Sequence, residues 1–187
     1  MLAVALMHYP TLNKQGAVVT TSVTNFDIHD IARASRTYGV ERYFIVTPVE
    51  LQQQFTRRII THWIEGSGAE YNPSRKEALT DVEVVGDLVA AGEAIERDFG
   101  GQPFWVATSA KLYPSSIGCA ELREKLQEGK ENICLIFGTG YGLHPQIIEE
   151  ADAVLEPIIG PAPFNHLSVR SAVSIYLDRL LGVRSGA

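Results

Sequence analysis

Two short segments in the last third of the chain combine residue types that suit ligand binding. Residues 135–143 (LIFGTGYGL) form an apolar run that enters a turn with three glycines at alternating positions. Because glycine lacks a Cβ, backbone N–H groups in such a turn can approach a ligand closely. Residues 165–170 (NHLSVR) gather Asn165, His166 and Ser168 at the predicted start of a helix. Unpaired N–H groups and the helix dipole favour an electron-rich ligand atom there, so the two segments predict one site.

The glycine segment matches no common nucleotide-binding pattern. Its third glycine comes one residue too early for G-x-G-x-x-G, and the segment lacks the Lys-Ser/Thr pair of a phosphate-binding loop. A tight turn between a strand and a helix would also explain the glycines. Ligands in open α/β sheets bind at the carboxyl ends of strands, where this turn is predicted to lie. We therefore favour ligand contact over a purely structural turn.

Other charged and titratable residues have simpler interpretations. Arg33 and Arg36 fall on the polar face of a predicted helix, where solvated charge is the ordinary explanation. The pairs Arg57-Arg58 and Arg75-Lys76 have the same explanation, although together they could form a patch for phosphates. No metal site is predicted, because the remaining histidines lack metal-ligand spacing. A structural or surface role is predicted for each of them: His8, His29, His62 and His144.

The composition is that of an ordinary globular protein. The chain has 187 residues, enough to bury a core, with 45% hydrophobic and 20% charged residues. No apolar run is long enough to span a bilayer, and the apolar start of the chain is interpreted as a first strand. Two cysteines without metal-type spacing suggest a reducing, cytoplasmic setting. The net charge of −6 argues against broad nucleic-acid binding but leaves room for a local basic surface.

The elements that would position these residues alternate between strands and helices along the whole chain. This alternation predicts a single α/β domain over residues 1–187, with a mostly parallel sheet, helices on both faces and residues 48–78 as a possible helical insertion. The predicted strands span residues 3–8, 43–46, 82–85, 104–107, 133–137 and 153–155. Residues 17–21 are predicted to form a short extension or a further strand.

Local signals predict where three of the helices begin. Asp27 is predicted to cap the first helix, and residues 47–50 (TPVE) are predicted to open the second with a capping box. The final helix is predicted to run from residue 166 to residue 181. The apolar stripe that the second helix should bury consists of Leu51, Phe55, Ile59 and Trp63. The corresponding apolar face of the final helix consists of Val169, Ala172, Val173, Tyr176 and Leu180.

Three segments, in this order along the chain, resemble the motifs of the SPOUT superfamily of RNA methyltransferases. Residues 27–40 resemble the first motif, with Arg33 six residues before the glycine that ends the helix. Residues 135–143 resemble the second motif, one residue shorter and without the common glutamate. Residues 157–160 and 165–169 resemble the third. As a whole, the sequence is most similar to a stand-alone branch of this superfamily, whose members are also found joined to tRNA guanine methyltransferases.

This resemblance implies a C-terminal trefoil knot, S-adenosylmethionine (SAM) as cofactor, a homodimer and a tRNA or rRNA substrate, with a partner methyltransferase also possible. It implies that backbone groups around three loops bind the cofactor. The residues assigned to cofactor binding are Thr108, Ser109, Ala110, Phe137, Gly138, Thr139, Gly140, Tyr141, Gly142, Leu143, Ile158, Ile159, Gly160, Asn165, Leu167, Ser168, Val169 and Ala172.

The same resemblance assigns the catalytic site to Arg33, Asn165, His166 and Ser168. Arg33 stays protonated, so we expect it to hold a phosphate or stabilise the acceptor oxygen, with His166 as the proton acceptor. Two other classes remain open at this point. One is a non-catalytic knotted module that binds RNA or a partner and keeps the cofactor pocket. The other is a flavodoxin-like or dinucleotide-binding protein.

Overall fold

The strands of the central sheet do not alternate between apolar and polar residues, because both faces of the sheet are covered. A computed structural model describes residues 1–183, so the last four residues of the predicted domain lie outside the described residues. The strands are β1 (Leu2–Met7), β2 (Thr11–Leu12), β3 (Val18–Val19), β4 (Arg42–Val46), β5 (Val82–Val85), β6 (Pro103–Thr108), β7 (Ser116–Ile117), β8 (Asn132–Gly138) and β9 (Ala153–Leu155). All of β1 is buried, as expected for a parallel strand covered on both faces.

Seven of these strands form one sheet in the order β5-β4-β1-β8-β6-β9-β7. Every pairing within that sheet is parallel. The other two strands, β2 and β3, form a small antiparallel hairpin, so residues 17–21 do contain a short strand. The α/β class and the parallel sheet predicted from the sequence are confirmed.

Helices cover both faces of the sheet, also as predicted. They are α1 (Asn25–Thr37), α2 (Glu50–Ile64), α3 (Ser67–Tyr71), α4 (Pro73–Leu79), α5 (Leu88–Phe99), α6 (Cys119–Glu128), α7 (Pro145–Glu150) and α8 (Val169–Leu181). One core cluster joins the sheet to α1, α2, α4, α6 and α8, through side chains such as Ile31, Ile60 and Val173. A second cluster joins the opposite face to α5 and α7, through Ile95 and Ile148. No helix among residues 1–183 has the length and apolar character needed to cross a membrane.

The first two helices do not begin where the sequence predicted. The N-cap of α1 is Thr24, whose hydroxyl accepts from the backbone N–H of Asp27 while the Asp27 carboxylate accepts from the N–H of Thr24. Asp27 is therefore the N3 residue of a capping box, and not the N-cap itself. The predicted capping box of α2 is also wrong. Thr47 still belongs to the sheet, because its N–H donates to Val85 O, and the actual cap, Val49, has no side-chain hydrogen bond.

The buried face of α2 differs from the predicted stripe. Leu51 is 75% exposed and Phe55 is 57% exposed, whereas Thr56 and Ile60 are the buried residues of this helix. The helix is turned so that Ile60 reaches the core cluster, and Arg57 Nη2 donates to Val84 O at the sheet edge, 2.8 Å away. The prediction is wrong for Leu51 and Phe55 but holds for the other half of the stripe, because Ile59 and Trp63 are partly buried against the core cluster.

Candidate functional site

Three loops meet at one edge of the sheet because the strands that precede them are neighbours. β8 ends at Gly138, β6 at Thr108 and β9 at Leu155, and β6 pairs in parallel with both of the others. The carboxyl ends of parallel strands lie at the same edge, which is where open α/β sheets bind ligands. The predicted cofactor residues 108–110, 137–143 and 158–160 follow these ends. The sheet order thus brings together segments that are far apart in the sequence.

Two side-chain hydrogen bonds connect the segments at this edge of the sheet. Thr108 Oγ1 donates to Ile136 O at 2.9 Å, so this buried hydroxyl ties β6 to β8. Asn165 Nδ2 donates to Ala110 O at 3.2 Å, which holds the segment before α8 against the loop after β6. Ser109 remains in that loop, where its hydroxyl accepts from the N–H of Lys111. Asn165 is therefore close to the 108–110 segment, as a shared site requires.

The glycine segment is folded against the chain itself, more than the sequence suggested. Tyr141 N–H donates to Leu12 O at 2.9 Å, and Thr139 N–H donates to Met7 O at 3.3 Å. A Cβ on Gly138 would lie 2.6 Å from Leu143 N. A Cβ on Gly140, which has a φ of +61°, would lie 2.9 Å from Leu12 O. The protein's own backbone requires these two glycines, whatever else the turn contacts.

Gly160 is different, because nothing among residues 1–183 requires a glycine there. No heavy atom of these residues lies within 4 Å of a Cβ built at this position, and its φ lies outside the left-handed region. The residue is exposed beside Ile159, whose side chain is 69% exposed. An open, uncharged surface with room for a close approach suits the adenosine part of SAM, which can be recognised by backbone groups and apolar contacts.

The side chains of several predicted cofactor residues point into the core. Phe137 is fully buried, and its ring lies 6.0 Å from that of Tyr176 in α8. Leu143 is buried, and Ile158, Val169 and Ala172 are half-buried against the core cluster. Any cofactor contact from these residues would have to come from the backbone. By contrast, Tyr141 and Leu167 have exposed side chains at the same edge as Ile159.

The final helix begins three residues later than predicted. Its N-cap is Ser168, whose Oγ accepts from Ser171 N–H at 3.2 Å, and the first helical residue is Val169. Asn165 and His166 lie in the preceding loop, so the prediction that they share the helix N-terminus with Ser168 is wrong. Asn165 instead bonds to the 108–110 loop, and the exposed His166 makes a T-shaped contact with Phe164. Because the loop that contains Asn165 and His166 makes these tertiary contacts, the helix begins only after it, at Val169.

Arg33, the remaining predicted catalytic residue, lies on the exposed side of α1. Its carbonyl accepts from Thr37 Oγ1 at 2.8 Å, and its charge acts on His29, one turn earlier in the same helix. Asp27 and Asp30 on the same helix lie 4.0 Å and 3.8 Å from Arg170 of α8, and Arg33 follows Asp30 by about one turn. The role of Arg33 in the catalytic site stays a prediction.

His8 lies beside the glycine segment, a position that the sequence did not predict. His8 follows β1 and is fully buried, with Nδ1 2.9 Å from Thr21 Oγ1. Thr21 hydrogen-bonds Thr139, whose hydroxyl donates to Met7 O at 2.9 Å. Burial lowers the pKa of His8 to about 4, although Asp27 acts in the opposite direction. A polar residue directly after a fully apolar strand was the available signal.

Comparison with known proteins identifies the family of the chain. A sequence profile of SAM-dependent RNA methyltransferases matches residues 1–182. The chain belongs to this family. Its cofactor is accordingly SAM, and the SPOUT resemblance drawn from the sequence is confirmed. The non-catalytic, flavodoxin-like and dinucleotide-binding alternatives are set aside, because family membership identifies an RNA methyltransferase.

Two relatives and one solved structure illustrate the relationship. An uncharacterized protein of Aquifex aeolicus is 40% identical over 177 residues, 95% of this chain and 86% of that protein. A tRNA (guanine-N(1)-)-methyltransferase of Nitratidesulfovibrio vulgaris is 44% identical over 95% of this chain, which spans 41% of that protein's length. The SpoU methyltransferase AviRb of Streptomyces viridochromogenes, solved with AdoMet, has a TM-score of 0.56 at 13% identity, covering 97% of this chain and 56% of AviRb. This last similarity supports the fold of the methyltransferase.

Proposed function

We propose that this methyltransferase modifies tRNA or rRNA and binds SAM across the loops that follow β6, β8 and β9. The observation that carries the proposal is that the loops after β6, β8 and β9 meet at the carboxyl edge of the sheet, with an open surface at the exposed Gly160. The proposed contacts are backbone groups of residues 108–110, 138–143, 158–160 and 167–172. The named function of the Nitratidesulfovibrio vulgaris relative favours tRNA over rRNA.

SAM supplies a methyl group on a sulfonium, and transfer of such a methyl to a nucleophile is an in-line displacement. The residues of the chain therefore act mainly by positioning, which can provide about 7–11 kcal/mol in favourable cases. We assign to His166 the removal of a proton from the acceptor, because its exposed imidazole is a base that a bound substrate can reach. Asn165 and Ser168 order the loop that carries His166, through their bonds to Ala110 O and Ser171 N.

Arg33 is assigned to hold a phosphate of the RNA or to stabilise the acceptor oxygen. Its guanidinium stays charged and can bind a phosphate through two N–H groups. The catalytic assignment requires that His166→Ala and Arg33→Ala lower turnover on RNA with labelled SAM. If both variants kept wild-type turnover, the assignment of these two residues would be wrong.

The experiment that tests the cofactor site is the substitution Gly160→Ala. The apo protein has space for the added methyl, so its melting temperature should stay unchanged. SAM affinity, measured by calorimetric titration, should fall about tenfold or more, equivalent to about 1.4 kcal/mol. Gly86→Ala is the matched control, since the nearest atom to its new Cβ would be Gln53 Nε2 at 3.8 Å, an ordinary contact. Equal SAM affinity in Gly160→Ala and wild type would remove residues 158–160 from the site.

The trefoil knot is part of the same proposal. What supports it is the insertion of β9 between β6 and β7, two strands that residues 109–115 connect. After β9, Glu156 N–H donates to Ile117 O at 2.9 Å and Asn165 bonds to Ala110, so residues 156–165 contact both ends of that connection. A chain that continues through such a connection towards α8 would form the knot that the family resemblance implies.

We also propose a homodimer, a partner methyltransferase and a cytoplasmic location. Large apolar side chains remain exposed around the loop edge and the start of α1, among them Phe26, Ile159 and Phe164, and exposed apolar groups of this kind favour a protein interface. The partner proposal is supported by the Nitratidesulfovibrio vulgaris tRNA methyltransferase, because this chain spans only 41% of its length and the rest of that protein has no counterpart here. An RNA substrate and two free cysteines are compatible with the cytoplasm. A monomer mass in light scattering at micromolar concentration would contradict the dimer.

A further inference from the structure

The helices on one side of the sheet enclose a group of side chains that the cofactor site does not use. Trp63, near the end of α2, contacts Arg75 of α4, with the guanidinium carbon 4.3 Å from the ring centroid. The rings of His29 in α1 and His62 in α2 make T-shaped contacts with Trp63, at 5.6 Å and 5.2 Å between centroids. We call these four residues the Trp63 cluster. Three helices thus contribute an aromatic platform and three nitrogen-bearing side chains.

Two nitrogen atoms of the Trp63 cluster are buried without a hydrogen-bond partner. They are Arg75 Nε and His29 Nδ1, and the His29 residue is only 8% exposed. Within residues 1–183 no carboxylate forms an ion pair with Arg75. Arg75 Nε always carries a hydrogen, and a charged donor that is buried without an acceptor destabilises the folded protein. An anion bound by the Arg75 guanidinium would offset its charge.

Positive charge accumulates around His29. Burial lowers the pKa of His29, and the nearby charges of Arg75 and Arg33 lower it further. Asp30 acts in the opposite direction, but its carboxylate already lies 3.8 Å from Arg170. Arg33 forms no ion pair among the described residues, whereas Arg36 on the same helix is bound to Glu77 and Asp81. The arginines beside the cluster are therefore available to an external anion.

The packing around Trp63 shows that the cluster is a fixed structure. Gly68 in α3 is buried, and a Cβ there would lie 2.7 Å from Trp63 Cε3 and 3.1 Å from His62 Nε2. The backbone of α3 therefore lies directly on the Trp63 and His62 side chains. Stacking on Trp63 holds the guanidinium of Arg75 in one plane, which leaves its N–H groups oriented for a planar or tetrahedral anion.

We propose that the Trp63 cluster, together with Arg33, binds a backbone phosphate of the RNA substrate. The inference rests on the proposed function and identifies a substrate contact separate from the cofactor loops. Phosphate oxygens are the acceptors that arginine binds most readily, and RNA carries one at every nucleotide. Phe55 and Arg58 are exposed on the outer side of α2, where an aromatic and a cationic side chain could stack bases of the same RNA strand.

Arg75→Met tests the proposal, because methionine keeps apolar contact with Trp63 and removes the charge. Binding of fluorescently labelled, unfractionated bacterial tRNA should weaken about tenfold, and the slope of log affinity against log salt should fall by about 1. Arg97→Met, which removes an exposed arginine from α5 on the opposite face, is the control and should change neither value. SAM binding should stay at the wild-type level in both variants. Failure of wild type to bind SAM would contradict the proposed function while leaving this comparison intact.

NMR of the His29 imidazole provides a second measurement. A single-stranded RNA dodecamer should raise the pKa of His29, because a bound phosphate offsets the charges of Arg75 and Arg33, and Arg75→Met should abolish the change. A response to inorganic phosphate without a response to RNA would overturn the RNA assignment in favour of a small anion. Unchanged tRNA affinity and salt slope in Arg75→Met would overturn the proposal. If Arg75→Met lowers the melting temperature strongly, the test rests on wild type, in which an unchanged pKa of His29 in the presence of the RNA dodecamer would overturn the proposal.

Discussion

The buried imidazole of His8 should make the stability of this protein depend on pH in a calculable way. Burial lowers its pKa from 6.5 to about 4, so the unfolded chain takes up a proton before the folded protein does. Stability from neutral His8 is therefore complete above pH 6.5 and is lost as the pH falls towards 4. The full difference is about 3 kcal/mol, and about 2 kcal/mol should be lost by pH 5. A domain of this size has roughly 5–15 kcal/mol in total.

Urea unfolding of wild type and His8→Asn at pH 7.5, 6 and 5 measures this effect. Asparagine cannot titrate, but its amide can still bond Thr21, so the variant isolates the charge of the imidazole from the hydrogen bond. We expect the free energy of unfolding of wild type to fall by about 2 kcal/mol more than that of the variant between pH 7.5 and pH 5. Parallel pH profiles for the two proteins would show that His8 does not remain neutral in the folded state.

Two further predictions concern the backbone around the cofactor loops. Gly140→Ala should lower the free energy of unfolding by at least about 1–2 kcal/mol, because alanine must adopt a left-handed conformation and its Cβ would lie 2.9 Å from Leu12 O. Unchanged stability in thermal unfolding would contradict this contact. Tyr176→Phe should lower the free energy of unfolding by about 1–3 kcal/mol, since Tyr176 Oη donates to Glu156 O at 2.7 Å and the variant would leave this carbonyl unsatisfied. A wild-type denaturation midpoint would show that water replaces the hydroxyl.

The fold class was predictable because its signals are local. Apolar runs such as residues 133–137 and the amphipathic helices after them identify parallel strands and their crossovers without knowledge of any partner. Helix boundaries were less predictable where several residues can act as a cap. Thr24 and Asp27 both suit a helix start, and only the reciprocal hydrogen bonds between them identify Thr24 as the cap.

The motifs of the candidate site were more predictable than the structural role of each residue in them. The glycine-rich motif and residues 165–170 are recognisable in the sequence. The reasons for the individual glycines were not recognisable. Gly138 and Gly140 are required by contacts with Leu143 and Leu12, whereas Gly160 has no such contact, and this distinction depends on atoms that are distant along the chain.

Residue type, periodicity and spacing are properties of short segments, and they were enough to predict the α/β class, the family and the loops that carry the motifs. Which of those loops meet could be seen only in the folded chain, since the order of β8, β6 and β9 depends on pairing between strands far apart in the sequence. The fold also brought Asn165 to the 108–110 loop and Arg75 to Trp63. Packing of whole helices produces such contacts, and no local pattern records which face of a helix will be covered.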